Sequence, residues 1–152
     1  MKHLKLLLFF IPFALFACSD DDDIDSEIVG SWKTVGYTFE VETSDVAATK
    51  KIKEFYSLDE EDYFSIEFTK KGKAFFNDYE DSAEMGYSIK GNKIHLTYEK
   101  ETSAQEFVVN GNSLALTENM INEVKEDLSY IGISKDVEIK KADFIYFLTR
   151  VK

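Results

Sequence analysis

The sequence has few residues that cross-link a chain or bind a metal: 1 cysteine, 2 histidines and 1 proline among 152 residues. Because Cys18 has no second cysteine to pair with, no internal disulfide can form, and a hydrophobic core must supply the stability. The chain also lacks an apolar run long enough to cross a bilayer. Residues 6–17, interrupted by Pro12, would span about 18 Å as a helix, against roughly 30 Å for the bilayer core.

This apolar run has the features of a secretory signal instead. Lys2 and Lys5 precede it, and it ends on the small residue Ala17. A basic start, a short apolar stretch and a small final residue are typical of a signal peptide that is removed on export. We predict a signal over residues 1–17 and exclude it from the fold.

Cys18 stands directly after the predicted signal. The run Leu15-Phe16-Ala17-Cys18 resembles the lipobox of bacterial lipoproteins, although Phe16 is bulkier than the residue usual at its position. The resemblance implies that Cys18 is acylated, as with palmitate, and becomes the mature N-terminus. Several acyl chains, at ~0.8 kcal/mol per buried methylene, would make the anchor permanent. The alternative is an ordinary secretory signal that leaves a free thiol.

Residues 18–27 are acidic, with four consecutive aspartates at 20–23. Like charges in a run repel one another and cannot pack, so we expect a solvated tether. The tract also resembles the acidic signal of Bacteroidetes-type surface lipoproteins, which implies an outer-membrane, cell-surface location. Calcium binding is a weaker alternative, because the tract lacks the glycine turn and alternating ligands of a calcium loop.

Acidic residues outnumber basic ones along the chain. The formal net charge is −11. Loss of Lys2 and Lys5 with the signal makes the net charge −13. When the six acids of the tether are left out as well, residues 28–152 carry a net charge of about −7. This balance argues against nucleic acid as a partner and against flat adhesion to anionic lipid. The remaining length suffices for one hydrophobic core.

From residue 28 onward, apolar and polar residues alternate with a period of two, as in half-buried antiparallel strands. Phe64, Ile66 and Phe68, for example, share one face of a strand. Three short links contain the glycine or asparagine that tight hairpins favour, namely residues 70–73, 90–93 and 110–113. We predict eight strands in up-and-down order, over residues 28–41, 63–69, 73–79, 84–90, 93–99, 104–109, 113–118 and 138–151.

Two longer gaps have helical periodicity. Residues 44–56 begin with Ser44 as a plausible N-cap, and residues 119–132 end at Gly132, a natural C-cap. The apolar stripes are Ala48, Ile52, Phe55 and Tyr56 in the first and Ile121, Val124, Leu128 and Ile131 in the second. Because connections in an up-and-down barrel alternate between its ends, both helices share one end, the mouth. The tight turns share the other end, the floor.

The first and last strands carry a family resemblance. Gly30-Ser31-Trp32, eight meandering strands and Arg150 together resemble the lipocalin superfamily, most closely the lipocalin-like domains of Bacteroidetes lipoproteins. The resemblance implies that the tryptophan closes the barrel floor and that the arginine packs across it, as structural positions. The predicted fold is an all-β, eight-stranded antiparallel up-and-down barrel over residues 28–152, with two short helical insertions at one mouth.

An eight-stranded barrel can be filled by side chains or hold one small ligand. Our leading hypothesis is a non-enzymatic protein that binds a small apolar or amphipathic molecule inside the barrel. The predicted wall is Phe64, Phe68, Tyr87, Tyr98 and Tyr146, and the predicted lid lies near Ile52, Phe55, Ile121 and Val124. The alternative is a protein- or glycan-binding surface module with a filled interior and exposed aromatic residues at the mouth, namely Phe55, Tyr56 and Tyr130.

The sequence offers little catalytic chemistry. After removal of the signal, His95 is the remaining histidine, and it is expected on the outer face of its strand. No Gly-x-Ser-x-Gly elbow, phosphate-binding glycine loop or His-rich metal spacing is present, so we predict no cofactor and no metal.

Acids at the mouth, at residues 59–62 and at Asp78, Glu80, Asp81 and Glu84, form a hydrated rim. The rim favours neutral or cationic ligands. A basic peptide or calcium is the alternative partner of this rim.

Overall fold

The computed structural model describes residues 26–57, 63–78 and 81–152. The predicted signal, Cys18 and the aspartates of the tether lie outside the described residues, as do the rim acids at 59–62 and Glu80. The elements are β1 (Gly30–Thr43), α1 (Val46–Phe55), β2 (Ser65–Phe68), β3 (Lys73–Asn77), β4 (Ser82–Lys90), β5 (Lys93–Tyr98), β6 (Glu101–Asn110), β7 (Ser113–Asn119), α2 (Ile121–Asp127) and β8 (Ile139–Arg150).

The strands form a closed barrel in which each one pairs antiparallel with its neighbours in sequence and β8 pairs with β1. The predicted fold class and the up-and-down order are therefore confirmed. The tight turns at the floor contain Gly72, Gly91 and Gly111, with φ of +70°, +61° and +58°. Glycine adopts this left-handed conformation without the steric cost that a Cβ would add.

Both helices start or end at residues other than those predicted. The N-cap of α1 is Asp45 rather than Ser44: its Oδ1 accepts hydrogen bonds from the amides of Ala47 and Ala48 at 2.7 and 3.3 Å. Ser44 Oγ instead accepts a hydrogen bond from the amide of Glu138 at 3.1 Å. Helix α2 is shorter than predicted, and turns continue from its end to Gly132, where φ is +74°.

Strands β1 and β8 extend beyond the rest of the barrel at the mouth end. β1 pairs with β2 only over Gly30–Lys33, whereas it pairs with β8 as far as Thr43. We call the part of β1 and β8 over residues 37–43 and 139–146 the ribbon. Both helices pack on its inner face and form with it the helix cluster, whose buried members are Phe39, Val41, Ala48, Ile52, Val124, Leu128, Ile133, Ile139, Ala142 and Phe144.

A separate hydrophobic cluster fills the lower barrel, and we call it the floor cluster. Its buried members are Ile28, Trp32, Ile66, Phe68, Ala74, Tyr87, Ile94, Leu96, Leu114, Leu116 and Leu148. Tyr146 packs against both clusters and joins them. Side chains therefore fill the interior at the floor. At the mouth end, the two helices cover the inner face of the ribbon.

Candidate functional site: a cavity at the barrel mouth

A cavity of about 450 Å³ opens at the mouth, above the floor cluster. Strands β3 to β8, together with β2 and the residue before it, supply its walls, and neither helix lines it. The lining residues are Phe64, Ile66, Phe76, Ala83, Met85, Leu96, Tyr98, Ser103, Gln105, Leu116, Glu118 and Tyr146. The cavity lies within the size range of small-molecule sites, roughly 300–1,000 Å³, and most of its lining residues are apolar or aromatic.

Three aromatic side chains line one side of the cavity. The ring of Phe64 lies 5.0 Å from that of Phe76 and 5.2 Å, edge to face, from that of Tyr146 (centroid distances). Tyr146 in turn stacks on Phe144 of the helix cluster at 5.0 Å. Offset and edge-to-face pairs of this kind stabilise one another beyond their burial, so the wall is preformed rather than loose.

Polar groups in the cavity are few, and Glu118 is the charged one among its lining residues. Glu118 is half-buried, and among the described residues its carboxylate makes no hydrogen bond or ion pair. Burial raises the pKa of Glu118 above its ordinary value, and the charge of Glu123 on α2 raises it further. Ser103 and Gln105 on β6 add a hydroxyl and an amide to the same lining.

The sequence prediction of the site omitted Glu118, although a signal for it was present. Leu114 and Leu116 face inward on β7, so the next inward position of the same strand is residue 118. The prediction considered only the apolar members of this alternation. Gln105 on β6 was omitted in the same way. Phe76 was omitted although it is apolar and follows the inward-facing pattern of β3.

Of the five residues predicted to form the wall, Phe64, Tyr98 and Tyr146 line the cavity. Phe68 and Tyr87 lie in the floor cluster instead, with ring centroids 5.1 Å apart. The Tyr87 hydroxyl donates a hydrogen bond to the carbonyl of Thr69 at 2.6 Å, and burial raises the pKa of this hydroxyl. Both residues stand next to a floor turn, where side chains from neighbouring strands meet and leave no space.

The four residues predicted to form a lid do not line the cavity. Ile52 and Val124 are fully buried in the helix cluster, and Ile121 packs against that cluster. Phe55 is 43% exposed and contacts Tyr130, which is 82% exposed, on the outer side of the helices. The apolar stripes of α1 and α2 pack against the inner face of the ribbon. The helices therefore do not cover the cavity beside them, which stays open.

At the opposite end, Trp32 and Arg150 make the predicted contact. Trp32 is fully buried, and the guanidinium carbon of Arg150 lies 4.2 Å from the centre of its ring. Trp32 Nε1 donates a hydrogen bond to the carbonyl of Ile28 at 2.7 Å. The two terminal nitrogens of Arg150 donate to the carbonyls of Val29 and Glu27 at 2.8 and 2.6 Å. The chain therefore enters the barrel across the floor, held by both side chains.

Outside the cavity, His95 is half-buried on the outer face of β5, between the buried residues Ile94 and Leu96. Within the described ranges, no group of three or more histidine, cysteine or acidic residues is placed to hold a metal ion. In the same part of the chain, no helix combines the length and apolarity needed to span a membrane. Comparisons with models of protein families, with curated proteins and with solved structures found no match.

Proposed function

We propose that this chain is a lipid-anchored, non-enzymatic surface lipoprotein that binds a small apolar or amphipathic molecule in the mouth cavity of its barrel. The observation that carries the proposal is the preformed cavity of about 450 Å³ above a solid floor. A cavity lined by aromatic and aliphatic side chains with a few polar groups is the usual form of a small-molecule site.

The lipocalin-like part of the proposal is supported by the floor. Gly30 has φ +132°, and a Cβ at this position would lie 2.4 Å from Nη1 of Arg150. A glycine is therefore required where the arginine crosses the tryptophan, which accounts for the Gly-x-Trp and arginine pattern. These contacts are structural, and they leave the mouth free for a ligand.

The anchoring part of the proposal is supported by where the chain enters the barrel. Residues 26–29 cross the floor, at the opposite end from the cavity. With Cys18 acylated, the eight residues up to Ser26 could span at most about 28 Å. The floor would then face the outer membrane, and the cavity would face the surroundings.

Ligand binding can be tested by displacement of the neutral fluorescent probe N-phenyl-1-naphthylamine. A protein beginning at Ser19 is suitable, because the closed barrel and both clusters form from residue 28 onward. Ala83 lines the cavity, so Ala83→Trp should fill part of it and weaken probe binding by about tenfold or more. Ala104 is exposed on the outer face of β6, and Ala104→Trp is the matched control that should bind the probe like the parent. Absence of saturable binding to the parent would refute the proposal.

The anchor has its own test, independent of the ligand. Metabolic labelling with palmitate in the native host should mark the full-length protein, and Cys18→Ser should abolish both the label and membrane association. Accessibility of the protein to protease on intact cells would then report surface exposure. An unlabelled parent protein would leave the ordinary secretory signal as the correct interpretation.

A second candidate is a glycan- or protein-binding surface at the helices, as the sequence alternative suggests. It is favoured by the exposed pair Phe55 and Tyr130, whose rings meet edge to face at 5.8 Å. Tyr56, the third residue of that alternative, is half-buried against Phe39. The protein can be tested for binding to glycans on an array. Binding that is lost in the double variant Phe55→Ser/Tyr130→Ser but kept in Ala83→Trp would favour this function over ligand binding in the cavity.

A further inference from the structure

Glu118 stands out among the lining residues of the cavity. It occupies the third inward position of β7, after Leu114 and Leu116, and faces Phe144 across the β7–β8 pair. Tyr146 stands opposite Leu116, one inward position closer to the floor. The carboxylate therefore lies beside an aromatic wall rather than in bulk solvent.

Nothing described around Glu118 compensates its charge. Its carboxylate has no hydrogen-bonding or ion-pairing partner among the described residues, and the nearby Glu123 carries the same charge. No lysine, arginine or histidine is among the described lining residues. The stretches 58–62 and 79–80, whose sequences are LDEED and YE, contain no basic residue either. A half-buried carboxylate in this setting is stabilised when a cation joins it.

The neighbouring rings suit the same type of ligand. Phe64, Phe76, Tyr98 and Tyr146 present aromatic surfaces to the cavity that holds Glu118. A cation over such a ring gains about 0.5–2 kcal/mol, depending on how far it is desolvated. An anionic ligand would find no positive partner among these residues and would meet the carboxylate instead.

We propose that the cavity selects amphipathic monocations, amines or quaternary ammonium compounds with a short apolar chain, and that Glu118 pairs with their charge. This inference rests on the proposed ligand-binding function and assigns its ligand class. It also goes beyond the acidic rim, because it places the selecting charge inside the cavity, where salt screens it less than charges at the surface.

The test compares three probes with the same eight-carbon chain: octyltrimethylammonium, octanol and octanoate. Each displaces N-phenyl-1-naphthylamine from the parent protein at pH 7, at low and at physiological ionic strength. We expect the order cation, alcohol, anion, with the cation about tenfold tighter than the alcohol. The preference should persist at the higher ionic strength, since a contact inside the cavity is screened less than a rim charge.

Two variants assign the preference to a residue. Glu118→Gln should lower the ratio of cation to alcohol affinity by about tenfold. Glu101→Gln removes an exposed acid at the start of β6 that is absent from the cavity lining, and it should change the ratio by less than about twofold. Circular dichroism and a thermal melt check that both variants fold. If Glu118→Gln does not fold, the comparison of the three probes on the parent at the two ionic strengths decides, because a preference that arises from the rim would be lost at the higher ionic strength.

The outcomes separate this inference from the proposed function. Saturable binding of the neutral dye and of octanol, without preference for the cation, would overturn the inference and leave the ligand-binding function intact. A cation preference that Glu118→Gln does not reduce would also overturn it, because the rim would then be the source. If neither the dye nor any of the three probes binds, both proposals fail.

Discussion

At the scale of single residues, the floor depends on a contact between Trp32 and Arg150 that no other residue type reproduces. The indole is fully buried, and the guanidinium covers it at 4.2 Å while donating to two carbonyls of the entering chain. The arginine therefore acts through stacking, cover and hydrogen bonds together. Lysine has a single charged nitrogen and could not make this set of contacts.

A double-mutant cycle tests this contact. Trp32→Ala removes a large buried ring and should lower the free energy of unfolding by about 3–5 kcal/mol. Arg150→Ala should lower it by about 1–2 kcal/mol through lost stacking and cover. Because the two groups touch, the double mutant should be less destabilised than the sum of the single mutants, as measured by urea melts. Strict additivity would show that the contact contributes nothing of its own.

Thr34 offers a second test at the residue scale. It is buried, at 3% exposure, and within the described part of the chain its hydroxyl has no hydrogen-bonding partner. An unpaired buried hydroxyl costs about 1–3 kcal/mol relative to an apolar group of the same shape. Thr34→Val should therefore raise the free energy of unfolding by about 1 kcal/mol. Thr38→Val, at a half-buried position farther along β1, is the control and should change little.

A loss of stability in Thr34→Val would mean that the hydroxyl has a partner, such as a bound water, in solution. Urea melts of the parent and both variants at one pH would separate these outcomes.

At the scale of elements, the two helices act as one cover for the ribbon. The Tyr56 hydroxyl, just after α1, donates a hydrogen bond to Oδ2 of Asp127, at the end of α2, at 2.6 Å. The Tyr56 ring also packs against Phe39 of β1 at 5.1 Å. Burial, the bond to Asp127 and the charges of Asp127 and Glu123 raise the pKa of Tyr56 well above its ordinary value near 10.

The burial of Tyr56 and its bond to Asp127 together predict a pH-dependent contribution to stability. Since the pKa of Tyr56 is higher in the folded state, the contribution is fully present below pH 10 and is lost as the pH rises above that value. Tyr56→Phe should cost about 1–2 kcal/mol at pH 8. The difference between parent and variant should shrink between pH 9 and pH 11, as measured by chemical denaturation. A difference that stays constant over this range would contradict the raised pKa of Tyr56.

At the scale of the whole molecule, the domain begins at the floor-crossing segment rather than at the first strand. Ile28 is fully buried in the floor cluster, and its carbonyl accepts the hydrogen bond of the Trp32 indole. The carbonyls of Glu27 and Val29 accept those of Arg150. The segment before β1 therefore belongs to the folded unit, although it forms no strand.

Truncation tests this boundary. A protein beginning at Ser26 should have the same free energy of unfolding as one beginning at Ser19, within about 0.5 kcal/mol. A protein beginning at Gly30 loses Ile28 and the acceptors of Trp32 and Arg150, and it should be less stable by about 3 kcal/mol or more. Thermal and urea melts of the three proteins would show which start preserves the fold. Equal stability of all three would place the boundary at β1.

The sequence by itself determined the strand order and the floor turns, whereas the contact of Trp32 with Arg150 was implied by the family resemblance. Period-two alternation and the tight turns at Gly91 and Gly111 are set by residues that are close together in the sequence. A local pattern was therefore enough to predict the strands and their turns. The N-cap of α1 could not be predicted from the local pattern alone, because Ser44 and Asp45 are both suitable caps. Ser44 instead accepts a hydrogen bond from the amide of Glu138, which lies 94 residues later in the sequence.

Only the tertiary structure decided which inward residues fill the barrel and which leave space. Phe68 and Phe64 lie on the same face of one strand, yet Phe68 is packed at the floor and Phe64 lines the cavity. The helices also cover the ribbon rather than the cavity, because β1 and β8 extend beyond their neighbours. The volume of the cavity and the burial of Glu118 depend on side chains that seven strands contribute. A local sequence pattern describes one strand at a time, so it cannot predict either quantity.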